Sequence, residues 1–384
     1  MQAVMRRPLK DTPGLPNLDT VLLMVVGLLL CFSLVMVFSA TVMVDQETGG
    51  GLNKIAKHTA HVFVGILGAL LISMTPTTWW QNSATWLLVV GLLLLVLVLI
   101  PGIGLEINGS RRWFGIGPVR IQPSEIMKFI MIVYMADYLT RRRGQLKNFR
   151  LGVLNIAAVV GAAGILLLLE PDLGTTVVIA LTVFMMMFVS GVRWDHMLLC
   201  VLSAAAAFVA LVVASPYRMQ RVLSFQDPWA DPYGSGFQLS QALIAFGRGE
   251  WFGTGLGQSI QKLFYLPHAS NDFLAAVVAE ELGFAGILAL ILLYAVLLWR
   301  GFSIAARAER AGREFQARLA HGGTILLSIQ ALINLGVNTG ALPTKGLTLP
   351  LMSYGGSSML ISLALIGLLF AVDREIRQPA RRSK

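Results

Sequence analysis

A glutamate and a lysine three residues apart, Glu125 and Lys128, stand just inside an otherwise apolar run that opens with Gln122-Pro-Ser. Pro123 suits the first helical position, where the amide hydrogen it lacks would have no partner, and the helix dipole favours an acid in the turn that follows. At that spacing both side chains share a face. Each costs on the order of 3 kcal/mol in a membrane span unless paired or hydrated. Two readings stay open: a structural ion pair, or a charged constellation beside a cavity. The second acid of interest is Asp272, which closes Tyr265-Leu-Pro-His-Ala-Ser-Asn-Asp-Phe273 and begins an apolar run reaching Trp299. An acid there serves either as a helix N-cap or, partly desolvated, as a general base stronger than a hydrated carboxylate. Glu280 and Glu281 follow about 12 Å deeper by helical rise. They either polarise the site or mark the start of the span.

Cations accompany these acids. Arg111 and Arg112 lie in Asn108-Gly-Ser-Arg-Arg-Trp113, Arg218 and Arg221 in Tyr217-Arg-Met-Gln-Arg221, and Lys345 in Leu342-Pro-Thr-Lys-Gly346. Each suits a phosphate, and each equally suits a lipid headgroup at a span end or, for Lys345, an ordinary turn. Glu170-Pro-Asp-Leu-Gly174, Gln226-Asp-Pro-Trp-Ala-Asp-Pro232 and Ser353-Tyr-Gly-Gly-Ser-Ser358 complete the polar motifs. Cys31 and Cys200 fall in apolar runs, and neither CxxC nor HExxH occurs, so no disulfide framework or cysteine-ligated metal is indicated. No ligand cluster demands a metal, although a divalent cation such as Mg or Mn can share in stabilising negative charge. Gly253-Thr-Gly-Leu-Gly257 resembles a dinucleotide fingerprint only superficially, since no strand precedes it.

These motifs are carried by a chain of 384 residues that is 56% hydrophobic and 13% charged, against about 25% charged in a soluble domain. Apolar runs predict an all-α integral membrane protein of about ten transmembrane helices: 21–44, 55–74, 84–100, 123–139, 151–169, 175–190, 197–214, 282–299, 324–342 and 359–372. The first run is too long for a signal-peptide core. The formal charge of +10 from 30 Lys and Arg raises nucleic-acid binding, but sorting the cations by membrane side removes it. With both termini cytoplasmic, nineteen of the 30 fall on cytoplasmic segments, as the positive-inside rule requires. The expected organisation is a cytoplasmic tail at 1–19, a membrane domain at 20–372 with one large extracytoplasmic loop at about 215–271, and a basic tail at 373–384. Every motif above then sits at the outward end of a span, and function is expected on that face.

Taken together, the motifs at 108–113, 122–128, 171–174, 226–232 and 349–358 resemble the SEDS family (shape, elongation, division and sporulation), over about residues 18–372. The lysine in the run 342–351 is similar to the division-type members. The resemblance implies a peptidoglycan glycosyltransferase that polymerises lipid II, releasing undecaprenyl pyrophosphate, on the outer face of the bacterial cytoplasmic (inner) membrane. It further implies septal localisation, a class B penicillin-binding protein as crosslinking partner, and other divisome proteins. By motif position Asp272 matches the family's essential aspartate, and Glu125 and Lys128 match its cavity-lining acid and base. Where relatives typically read Pro-Glu-Ala-His-Thr-Asp-Phe, this chain has Pro267-His-Ala-Ser-Asn-Asp-Phe273, so no role for the replaced glutamate or histidine transfers. A lipid II flippase and a non-catalytic scaffold for the division transpeptidase are the alternatives. Against a flippase, the polar residues cluster at the outward end only.

Overall fold

The computed structural model describes residues 19–48, 51–107, 109–116, 119–263, 265–344 and 346–378. Ten long helices coincide with the ten expected spans: α1 (Thr20–Thr48), α2 (Gly51–Met74), α3 (Thr77–Leu99), α4 (Pro123–Arg141), α5 (Asn155–Leu169), α6 (Leu173–Val189), α7 (Trp194–Val213), α10 (Leu274–Arg310), α11 (Glu314–Asn338) and α12 (Gly356–Arg377). Among the described residues, eight are long and apolar enough to cross a membrane. The other two are α4, which carries Glu125, Lys128, Asp137 and Arg141, and α6, which has 17 residues. Burial orders the bundle. In α12, 83% of the apolar window is buried, against 11% in α7, so α12 is central and α7 faces outward toward lipid. The closest packing is of α2 on α12, α10 on α11 and α3 on α4.

The sequence reading treats the outward connections as loops, and the structure gives them form. Between α3 and α4 lies a three-stranded antiparallel sheet of β1 (Leu105–Ile107), β2 (Ser110–Ile116) and β3 (Val119–Ile121). The long segment after α7 folds into two helices, α8 (Pro216–Gln226) and α9 (Phe237–Gly249). Apolar periodicity does not announce either, because neither is a span. The run expected at 282–299 is part of a 37-residue helix that starts at Leu274 and is broken at Gly283, where φ is 66° and ψ is −164°. The basic tail expected from 373 begins as helix, since α12 continues to Arg377.

The break in α10 is stabilised by backbone groups from the segment after α9. Thr254 and Gly255 amides donate to the Glu280 and Glu281 carbonyls, and the Phe284 and Ala285 amides donate to the Glu250 and Trp251 carbonyls. In a membrane-embedded helix each freed group left without a partner would cost several kcal/mol, so the inserted segment makes the break tolerable. Two glycines allow the approach. A Cβ on Gly253 would lie 2.1 Å from the Glu281 carbonyl oxygen, and one on Gly283 would lie 2.4 Å from the Gly253 nitrogen. Both also have positive φ, which an L side chain rarely adopts.

At the opposite end, expected from the sequence to be cytoplasmic, the buried Asp19 is paired with Arg300, Arg307 and Arg377, and Arg307 and Arg377 also reach the buried Asp373. These arginines therefore tie α1, α10 and α12 together. Substituting Gly283 or Gly253 by alanine is expected to destabilise the detergent-solubilised protein by about 2 kcal/mol or more. Gly27→Ala, at a position with open space around it, provides the matched control in thermal unfolding followed by size-exclusion fluorescence.

Candidate active site

Asp272 immediately precedes the outer half of broken α10. It does not cap that helix: the N-cap is Phe273, with no side-chain capping bond. Its main chain is fixed instead. Asn334 and Asn338 of α11, one turn apart, both donate through Nδ2 to the Asp272 carbonyl, at 2.8 and 2.9 Å. Asn338 returns the contact by accepting from the Ala276 amide at 3.2 Å, and Asn334 also holds the Leu347 carbonyl. The Asp272 carboxylate lies against Gly346, where a Cβ would be 3.1 Å from Oδ2. No described residue donates a hydrogen bond to that carboxylate.

Burial pushes the Asp272 carboxyl up to about 6, against the opposing pull of His268, Arg221 and Arg112. The two arginines come from other elements, and His268 from the segment of Asp272 itself. Arg112 is on β2, where the two-residue strand period puts it on the face of Ser110, whose hydroxyl accepts from Nε at 2.7 Å. Its neighbour Arg111 points the other way and pairs with exposed Glu106 at 3.1 Å. Arg221 is on α8 and donates to the Thr344 carbonyl at 3.4 Å. His268 stands in the segment 267–271, whose Ser270 carbonyl accepts from the Tyr354 amide. Two cavities flank this segment and share Pro267. One, of about 420 Å³, includes Gln220, Arg221, Gln238 and Thr344. The other, of about 290 Å³, includes Lys54, Lys262 and His268.

The Glu125–Lys128 spacing does give an ion pair, 2.8 Å long with both side chains buried. Ser124 joins it to the next turn by donating to Asp172, which also accepts from Gln122 and twice from Thr175. Glu280 and Glu281 hold the outer segment in place. Glu280 accepts from Arg248, Ser259 and the amides of Ile260 and Gln261. Glu281 pairs with Lys262 at 2.7 Å, with Ser39 donating to both its oxygens. Their polar capacity is thus directed at loop residues. Lys345 and the side chain of Arg218 lie outside the described residues. Among the described residues no group of three or more His, Cys, Asp or Glu is arranged to hold a metal ion.

Lys262, Asn334 and Asn338 are not among the site residues expected from the sequence. The four-residue spacing of the two asparagines is the signal that they share a helix face. Nothing in the sequence links Lys262 to Glu281, nineteen positions apart.

The fold and this outward charged site define a multi-pass membrane protein. A model of the FtsW/RodA/SpoVE cell cycle protein family matches residues 19–378, and the chain belongs to that family, the SEDS proteins. Two proteins each named "Probable peptidoglycan glycosyltransferase FtsW" are close in sequence. That of Nitrosococcus halophilus is 50% identical over 371 residues, covering 96% of each chain. That of Legionella pneumophila is 47% identical over 350 residues, covering 91% of this chain and 89% of the relative. Among solved structures, a chain of a peptidoglycan synthase complex superposes with a TM-score of 0.77 at 32% identity, covering 94% of this chain and 99% of that one. The rod shape determining protein RodA of Thermus thermophilus gives 0.68 at 28% identity, with the same coverage.

Because Lys262 and Glu281 are both fully buried, removing either charge alone strands the other. Lys262→Met and Glu281→Leu are each expected to cost about 3 kcal/mol, with the double variant recovering most of the loss. A thermal-unfolding double-mutant cycle measures the coupling.

Proposed function

We propose that this protein is a septal peptidoglycan glycosyltransferase that polymerises lipid II, with Asp272 as the general base. The observation that carries the reading is a desolvated carboxylate, fixed through its main chain by Asn334 and Asn338, with Arg112 of β2 and Arg221 of α8 acting on it from outside its own segment. Asp272 takes the proton of the acceptor sugar's 4-hydroxyl as that oxygen attacks C1 of the donor. The C1–O bond to undecaprenyl pyrophosphate breaks, and the bonding pair leaves with the pyrophosphate. Attack opposite the leaving group inverts the configuration at C1.

One acid suffices for this step. A glycosidase requires a second carboxyl to protonate an alkoxide leaving group, whereas pyrophosphate departs as a stabilised anion. What remains is to balance its charge. Arg112 and Arg221 face the Asp272 site, and the buried Lys128 belongs to the same outward end. The flanking cavities suit the two lipid-linked sugars, whose prenyl chains remain in the bilayer. The relatives' names and the synthase complex support the activity and support a class B penicillin-binding protein as partner. The ion-paired cytoplasmic ends of α1, α10 and α12 weigh against a transport path through that side.

Asp272→Asn, purified with its partner, is expected to abolish lipid II polymerisation while preserving the melting temperature. In the parental protein kcat/KM is expected to rise with pH through an apparent value near 6, because the base acts only when deprotonated. Wild-type rates in Asp272→Asn, or a flat acidic limb, would exclude Asp272 as the base. Translocation by vesicles containing the variant, measured separately from polymerisation, tests the flippase alternative.

A further inference from the structure

Glu170 occupies the outward turn between α5 and α6, just beyond the span. Its side chain has no solvent exposure, and among the described residues neither carboxylate oxygen has a hydrogen-bond partner. Two residues on, Asp172 by contrast accepts from Gln122, Ser124 and Thr175. The charged groups facing Glu170 are Asp172 from its own turn and Arg112 from β2. Behind Ser124, the Glu125–Lys128 pair of α4 is satisfied internally. Arg112 also faces Asp272, so one guanidinium is shared by the fields of two carboxyls.

We propose that Glu170 is a positioning residue, kept as a neutral acid so that Arg112 stays directed at the Asp272 site and the departing pyrophosphate. The inference rests on the proposed role of Asp272. An ionised Glu170 would have no donor other than Arg112 among the charges that face it, and a buried anion without a partner is costly. Ionisation would therefore draw the guanidinium away from the reacting groups. Burial and the neighbouring Asp172 push the Glu170 carboxyl up to about 8, with Arg112 opposing them. At neutral pH the acid is thus mostly protonated, and it ionises on the alkaline side.

The test compares Glu170→Gln, the uncharged isostere, with the parental protein in complex with its partner, using lipid II polymerisation across pH. About nine-tenths of Glu170 is ionised one unit above its pKa, so parental kcat/KM is expected to fall about tenfold between pH ~7 and pH ~9. In Glu170→Gln that alkaline fall is expected to disappear while the acidic limb set by Asp272 remains. A residue serving packing alone would change the melting temperature and the rate at every pH without moving either limb.

A second readout is independent of turnover. The infrared carbonyl band of a protonated carboxyl at neutral pH should be present in the parent and reduced by one group in Glu170→Gln. An unchanged alkaline limb in the variant, or no difference in that band, overturns the proposal. If the parent does not polymerise lipid II at all, the reading of the site fails, and the infrared band still decides whether Glu170 is neutral.

Discussion

The break in α10 is the constraint on which the outer half of the molecule depends. A continuous helix from Leu274 to Arg310 would satisfy its own backbone and leave the segment after α9 nothing to bind. Interrupting it at Gly283 frees amides and carbonyls at membrane depth, and residues 250–255 supply the complements. This exchange makes α9, the inserted segment and the Asp272-bearing half-helix one mechanical unit. Glu280 and Glu281 extend it by holding residues 259–262. Cooperative fixation of so much irregular backbone lets the Asp272 carboxylate stand at a helix start without serving as its cap.

Buried charge is handled differently in different parts of the molecule. Lys128, Lys262, Glu281, Asp19 and Asp373 are all deeply buried and all paired, as the cost of an isolated ion in a low-dielectric interior requires. Glu170 departs from this pattern, being fully buried with no described partner at either oxygen. The half-buried Asp272 likewise has no described hydrogen-bond donor to its carboxylate, and Arg112 acts on both acids. Reactive groups are expected where pairing is withheld in this way.

Much of the fold was legible because a bilayer imposes a length and a hydropathy on every span. The ten runs follow from that requirement, and eight of the matching helices are long and apolar enough to cross a membrane. Asp272 and the Glu125–Lys128 pair were legible for a related reason, since charge inside an apolar run stands out. What lies between spans obeys weaker rules. The sheet at 105–121, helices α8 and α9 and the start of α10 at Leu274 depend on tertiary contacts without a fixed period. The choice between Arg111 and Arg112 required knowing that they sit on a strand with alternating faces. The ties of Lys262 to Glu281 and of Asp272 to Asn334 join distant positions, and no local pattern encodes them.

The altered segment before Phe273 is consistent with this division of labour. A glutamate at position 268, as in the pattern the resemblance implies, would add a negative charge to the burial that raises the Asp272 carboxyl. Here His268 opposes the rise caused by burial. The segment itself is anchored by backbone bonds, Tyr354 to Ser270 and Asn271 to His268, that do not depend on the identities of side chains 268, 270 and 271. Arg112 and Arg221 arrive from β2 and α8, outside the segment altogether. Asp272 is thus positioned by α11, with Arg112 of β2 and Arg221 of α8 opposing the rise that burial gives its carboxyl, so exchange of neighbouring side chains leaves its backbone geometry in place.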